Sequence, residues 1–189
     1  MMLAEKICGE RIVLERIKPT FKLAKELFAK VEMSADSLLP WLSWVLNTKS
    51  AEDEYAYLLN WCDKHWRNEQ GCAYVIRHKE TKAALGIIDL CNFKKADKSA
   101  EIGYWLSIDA VGNGYMSEAV KLVETEAFAL GFHRIVIRND TRNMRSVNVA
   151  KNCGYHLDGV MRNDHWAEHE NRYVDTNIWS KLDSEKEAE

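Results

Sequence analysis

The sequence has little of what marks the special classes of protein. Only two prolines and nine glycines stand among 189 residues, which excludes collagen-like, Pro-rich and low-complexity chains. Charge of neither sign dominates: 26 Lys plus Arg against 29 Asp plus Glu leave a net −3. That balance excludes a polyelectrolyte tail and lacks the basic footprint of a nucleic-acid binder. The five cysteines (Cys8, Cys62, Cys72, Cys91 and Cys153) contain no CxxC pair, so neither a zinc ribbon nor a dithiol redox centre is indicated. Scattered single cysteines read as reduced, mostly buried thiols. The opening MMLAEKICGER has no apolar run of the secretory-signal kind, and no stretch approaches the ~18 apolar residues of a membrane span. A cytoplasmic protein with no nucleic-acid or membrane partner is expected from these absences.

What is present is an ordinary globular composition, 47% apolar and 29% charged, enough for a core in a chain of single-domain length. One domain over 1–182 and a solvated tail over 183–189 are expected. A first strand is predicted at 11–17 (RIVLERI). Pro19 suits the start of a helix, in which Phe21, Ala24, Phe28 and Val31 recur at helical spacing. A Leu/Trp-rich segment surrounds Pro40. Ser50 and Asp53 then resemble a capping box opening a helix to about residue 67.

The middle of the chain changes period. CAYVIRH at 72–78 and ALGIIDL at 84–90 read as a hairpin. Alternation over 100–108 predicts a strand with Glu101 and Trp105 on one face. A helix follows with the stripe Met116, Val120, Val123, Ala127 and Leu130, stopped by Gly131. A strand at 134–138, a short helix at 144–153 and strands at 155–160 and 173–181 complete the pattern. The reading is an α/β domain, a single mixed central β-sheet flanked by helices, with too few βαβ units for a doubly wound dinucleotide fold.

The informative segment is the strand, loop and helix around 100–116. Gly112 and Gly114 permit close backbone approach, and free amides at a helix start favour an anion. The same pattern also serves as a plain strand–helix connection. A Walker GK[ST] is absent, and so is GxGxxG, because Ser117 stands three residues after Gly114. A P-loop nucleotidase and a dinucleotide enzyme are therefore disfavoured.

The run SAEIGYWLSIDAVGNGYMSEAVKLVETEAF resembles the cofactor-binding core of the GNAT-superfamily N-acetyltransferases. Val111, Gly112, Asn113, Gly114, Tyr115 and Met116 take the places of the family's diphosphate-binding pattern, with Val111 and Met116 departing from its first and last residue types. A second block, TRNMRSVNVAKNCGYHLDG, resembles the family's Asn-x-x-Ser segment through Asn143, Ser146, Gly154 and Tyr155. GERIVLERI, LLPWLSW, AEIGYWL and GVMR are most similar to the ribosomal-protein N-acetyltransferases of RimL and RimJ type. The resemblance implies a GNAT-like fold, acetyl-coenzyme A as donor with no metal, an amine as acceptor, and a homodimer. It also implies backbone contacts to the cofactor arm from Leu106 and Ile108, and an arm contact from Asn143 unless that residue only serves the turn.

The chemistry asks for a base to take a proton from the amine and an acid to protonate the leaving thiolate. Glu101 is the first candidate base and His165 its rival; the plainer readings are a hydrogen-bonded strand carboxylate and a solvated loop residue. Ser146 is the candidate acid, since Ala150 stands where many family members carry a tyrosine; its plainer reading is a helix cap. His165 and His169 are four apart without an evident third ligand, so no metal is expected. Trp41, Trp44, Trp61 and Trp66 either line an acceptor groove or fill the core, while Glu32 and Asp36 either attract a protonated amine or are solvated. The expected acceptor is the N-terminal amine of a (ribosomal) protein. A small-molecule amine (amino acid, polyamine or antibiotic) and a non-catalytic coenzyme A-binding sensor are the alternatives.

Overall fold

The structure, a computed structural model, describes residues 3–185. Two short antiparallel strands, β1 (Lys6–Cys8) and β2 (Ile12–Arg16), lead into helix α1 (Phe21–Leu38). Thr20, rather than Pro19, sets the helix start: it is extended, and its hydroxyl accepts from Leu23 N–H at 3.2 Å, satisfying one of the free amides. A single 3-10 turn spans Ser43–Leu46. Ser50 caps α2 (Ala51–Tyr57), and Asp53 closes the predicted box by accepting from Lys49 N–H and Ser50 Oγ, each at 3.0 Å. The helix does not run on regularly. It widens into a π-helical stretch, Leu58–Asp63, before finishing as α3 (Lys64–Arg67).

The remaining elements are β3 (Cys72–His78), β4 (Ala84–Lys94), β5 (Ser99–Leu106), α4 (Tyr115–Ala129), β6 (Arg134–Asp140), α5 (Met144–Asn152), β7 (His156–Ala167) and β8 (Arg172–Leu182). The strands form one eight-stranded sheet in the order β1-β2-β3-β4-β5-β6-β8-β7. Only β5 and β6 run parallel; every other neighbouring pair is antiparallel. Helices α4 and α5 cover one face, where Tyr74, Ile76, Ile88 and Ile102 meet Met116, Val120, Val123 and Ala150. Helices α1 and α2 with the π-helical stretch cover the other, where Val75, Ile87 and Trp105 meet Leu27, Val31, Leu58 and Cys62, while Trp66 of α3 packs on Tyr74 of the first face. Covering on both faces explains why β3 and β4 read as continuous apolar runs instead of alternating ones.

Three boundaries depart from the sequence reading. β1 is only three residues long and is held by its pairing to β2, too short for a periodic signal. β5 ends at Leu106, not at 108. β7 continues to Ala167, through the segment expected as a loop, because the ladder resumes after a bulge between Met161 and His165 with a register shift of two residues. Asn163, at φ 51°, sits in that bulge and donates its N–H to Asp175 Oδ1 at 2.9 Å. At the end of the chain Asp183–Glu185 form a single turn, with Asp183 N–H on His133 C=O at 3.0 Å; the rest of the expected tail lies outside the described residues. All five cysteines are free, with Cys62, Cys72 and Cys153 buried. Among the described residues no helix is long and apolar enough to cross a membrane.

Candidate functional site

The site is made where two parallel strands separate. β5 and β6 pair from Ser99↔Arg134 to Ile102↔Ile137 and no further. Ser107 N–H bonds Leu85 C=O on the β4 side at 2.8 Å. Peptide groups alternate along a strand, so those of Tyr104 and Leu106 turn to the opposite edge, which β6 has left. The gap is a cleft of about 690 Å³ whose walls include Tyr104, Leu106, Asn139 and Ser146, a size suited to a cofactor.

The glycine turn closes one end. Gly112 and Gly114 have φ of 82° and 76°, values that a side chain resists. The first backbone bond of α4 runs from Glu118 N–H to Gly114 C=O at 3.1 Å. The amides of Tyr115, Met116 and Ser117 precede it and have no helical turn to bond. Val111, Gly112, Gly114, Tyr115 and Met116 line the cleft. What this end offers is main-chain N–H and the positive end of a helix dipole, which suit a diphosphate whatever side chains stand at 111 and 116. Asn113 does not line the cleft. Its side-chain amide folds back to Ala110 C=O and Val111 C=O, each at 3.2 Å, so it shapes the turn from behind. Ile108 also departs from expectation: its N–H is spent on Ser34 Oγ at 2.9 Å, and it lies outside the cleft walls.

Ser146 sits in a built hydrogen-bond cluster. Its Oγ accepts from Asn139 Nδ2 at 3.1 Å and lies 2.9 Å from Tyr104 Oη. Asn139 is buried, and its Oδ1 accepts from Asn177 Nδ2 at 3.0 Å and Trp179 Nε1 at 3.4 Å. Those two donors fix which end of the amide faces the serine. Burial pushes the Tyr104 phenol well above its ordinary range, which keeps it protonated. Asn143, not Ser146, caps α5, with Oδ1 accepting from Ser146 N–H at 3.1 Å. The Ser146 hydroxyl is thus free of capping duty, while Asn143 lines the cleft as well. Tyr104 and Asn139 were not singled out from sequence. The signal available was the missing hydroxyl at Ala150, which is fully buried; the phenol comes from β5 instead.

A smaller cavity of about 200 Å³ adjoins the cleft and shares Trp41, Arg138, Asn139 and Asp140 with it. His165 lines this cavity with Asp164, Glu168 and His169, and stands in strand β7 rather than in a loop. Burial works against ionising Asp140, but Arg142, at 2.6 Å, holds its carboxyl below the usual range. Asp164 is likewise held low against its desolvation, by Thr176 and Arg138. Glu101 lines neither cavity. It sits half-buried between Cys91 and Val136, where the strands are still paired, and accepts from Asn92 Nδ2 at 3.1 Å. Of the tryptophans, Trp41 lines both cavities, Trp44 packs on Trp105, Trp61 stacks on His65, and Trp66 is core. Glu32 and Asp36 are exposed and line neither cavity. Among the described residues no group of three or more His, Cys, Asp or Glu side chains is placed to hold a metal ion.

Residues 11–156 match the family model of an acetyltransferase (GNAT) domain. The ribosomal-protein-serine acetyltransferase of Escherichia coli (strain K12) is 26% identical over 142 residues, 75% of this chain and 76% of that one. In three dimensions the chain is similar to RimL, a ribosomal L7/L12 α-N-protein acetyltransferase solved with coenzyme A (TM-score 0.87, 22% identity, covering 94% of this chain and 98% of that one). It is similar too to the microcin C7 self-immunity acetyltransferase MccE solved with acetyl-CoA and AMP (TM-score 0.84, 24% identity, covering 92% and 93%). At such identities the two structures bear on the fold alone.

Proposed function

The chain belongs to the acetyltransferase (GNAT) domain family and is an acetyl-coenzyme A-dependent N-acetyltransferase; we propose that its acceptor is the α-amine at a protein N-terminus. The observation that carries this is the pair of adjoining cavities. The larger offers main-chain amides to a diphosphate, and the smaller offers a carboxylate to a cation. Of the carboxylates in its walls, Asp140 is paired with Arg142 and Asp164 with Arg138, and Glu168 is left to meet a cation. At about 200 Å³ it admits one small terminal residue and leaves the following chain outside.

In this reading the amine nitrogen attacks the thioester carbonyl carbon, forming C–N as C–S breaks. The Leu106 N–H, turned into the cleft, meets the charge that builds on the carbonyl oxygen. Ser146 Oγ–H protonates the departing sulfur as the Tyr104 phenol, 2.9 Å away, passes its proton to Ser146 and regains one from solvent in the cleft, while Asn139 holds the serine in place. His165 is the better placed of the two base candidates, because it lines the acceptor cavity and Glu101 does not. A homodimer belongs to the same reading and rests on the likeness to RimL-type enzymes.

The test is a panel of acceptors with acetyl-coenzyme A, read as released thiol. Peptides beginning with Ser or Ala are expected to be acetylated faster than free amino acids, polyamines or aminoglycosides. Turnover of small amines alone would move the acceptor to that class. Binding of the donor without turnover of any acceptor would leave a sensor.

A further inference from the structure

Arg11 reaches the glycine turn from the other end of the chain, out of the connection between β1 and β2 and 102 residues before Asn113. Its Nη1 donates to Asn113 C=O at 2.7 Å and its Nε to Glu118 Oε2 at 2.9 Å. Its own N–H and that of Ile12 both donate to Glu118 Oε1, at 2.9 and 3.3 Å. The guanidinium also lies 5.2 Å from the centre of the Tyr115 ring. A Cβ built on Gly114 would stand 3.4 Å from Nη2, so the fork packs directly behind that glycine.

Two consequences follow for an anion at the turn. In a trans peptide the C=O of one residue and the N–H of the next point opposite ways. Drawing the Asn113 carbonyl to Arg11 therefore turns the Gly114 N–H the other way, and Gly114 is a wall of the cleft while Asn113 is not. Glu118, in the first turn of α4, favours the helix dipole yet repels a second anion at the same end. Arg11 and two backbone amides occupy both of its oxygens.

We propose that Arg11 is a positioning residue for the donor's diphosphate: it locks the 113–114 peptide with its N–H toward the cleft and cancels the Glu118 charge beside the turn. This rests on the donor site assigned above. A lysine keeps the charge but cannot hold Asn113 and Glu118 at once, since it lacks the planar fork.

The experiment compares acetyl-coenzyme A with acetyl-pantetheine, which has the thioester and arm but no diphosphate. Tryptophan fluorescence serves as readout, because Trp41 and Trp105 line the cleft. Arg11→Ala is expected to weaken acetyl-coenzyme A about tenfold, the scale of one charge-assisted hydrogen bond, and to leave acetyl-pantetheine unchanged. Arg11→Lys, which retains the stem and the charge, is expected to show the same selective loss to a smaller degree and decides the matter if the alanine variant does not fold. Equal weakening of both ligands, or of neither, overturns the proposal. A wild-type chain that binds no acetyl-coenzyme A would instead sink the donor site itself, and this inference with it.

Discussion

At the scale of single residues, Ser146 shows how neighbours decide what a hydroxyl can do. One lone pair is taken by Asn139 Nδ2, and the phenol of Tyr104 stands at 2.9 Å ready to take the other. Either hydroxyl can donate across that contact, and when Tyr104 is the donor the serine's own O–H is left to give. Ser146→Ala is expected to lower kcat by about a hundredfold, the lower end of general-acid effects, with little change in affinity for acetyl-coenzyme A. Tyr104→Phe is expected to lower kcat about tenfold with KM for the donor unchanged. Steady-state rates with donor-binding titrations check both, and parallel losses in binding would reduce Ser146 to a contact. Ser146 was legible through the Asn-x-x-Ser resemblance. Its partners were not, because Tyr104 and Asn139 lie 42 and 7 residues away and meet only after β5 and α5 are folded against one another.

At the scale of elements, the π-helical stretch between α2 and α3 lies over an unusual piece of core. Glu54 is 2% exposed and its Oε1 has no hydrogen-bond partner; Asp89 Oδ1, on β4, is buried without one too. Burial pushes both carboxyls up to about 7, Glu54 from 4.5 and Asp89 from 3.8. A raised folded value means that the unfolded chain loses these protons first as pH climbs. Stability from this pair is therefore greatest below about pH 4, falls through pH 7 and then levels. Glu54→Gln is expected to flatten that slope and to stabilise the protein at pH 8 by on the order of 2 kcal/mol; urea unfolding at pH 5.5 and pH 8 reads it. Strong local signals made most elements legible: the Ser50 cap, the alternation over 100–108, which overran β5 by two residues, and the stripe of α4. β7 was cut short because its bulge breaks the period of two on an edge strand whose residues are mostly exposed.

Across the whole molecule, one buried ion pair ties together the elements that carry the site. Lys181 of β8 and Glu124 of α4 meet at 2.7 Å with side chains 4% and 7% exposed, and Lys181 also donates to Cys153 C=O, just past α5, at 2.9 Å. Lys181→Met would strand the Glu124 charge in the core. It is expected to cost about 3 kcal/mol in chemical denaturation, with much of the loss recovered when Glu124→Leu is added. The class of fold was legible from the change of period along the chain and from the resemblance. The place where β6 leaves β5 was not, because no local pattern marks the loss of a partner supplied by a strand thirty-odd residues on, about the span of one βαβ unit. Beside that divergence lie two adjoining cavities that meet at Trp41, Arg138, Asn139 and Asp140. The proposed reading gives one to each substrate, so that neither visitor has to withdraw before the other arrives. On that reading the acetyl group passes straight across between them, and no side chain carries it as a temporary ester.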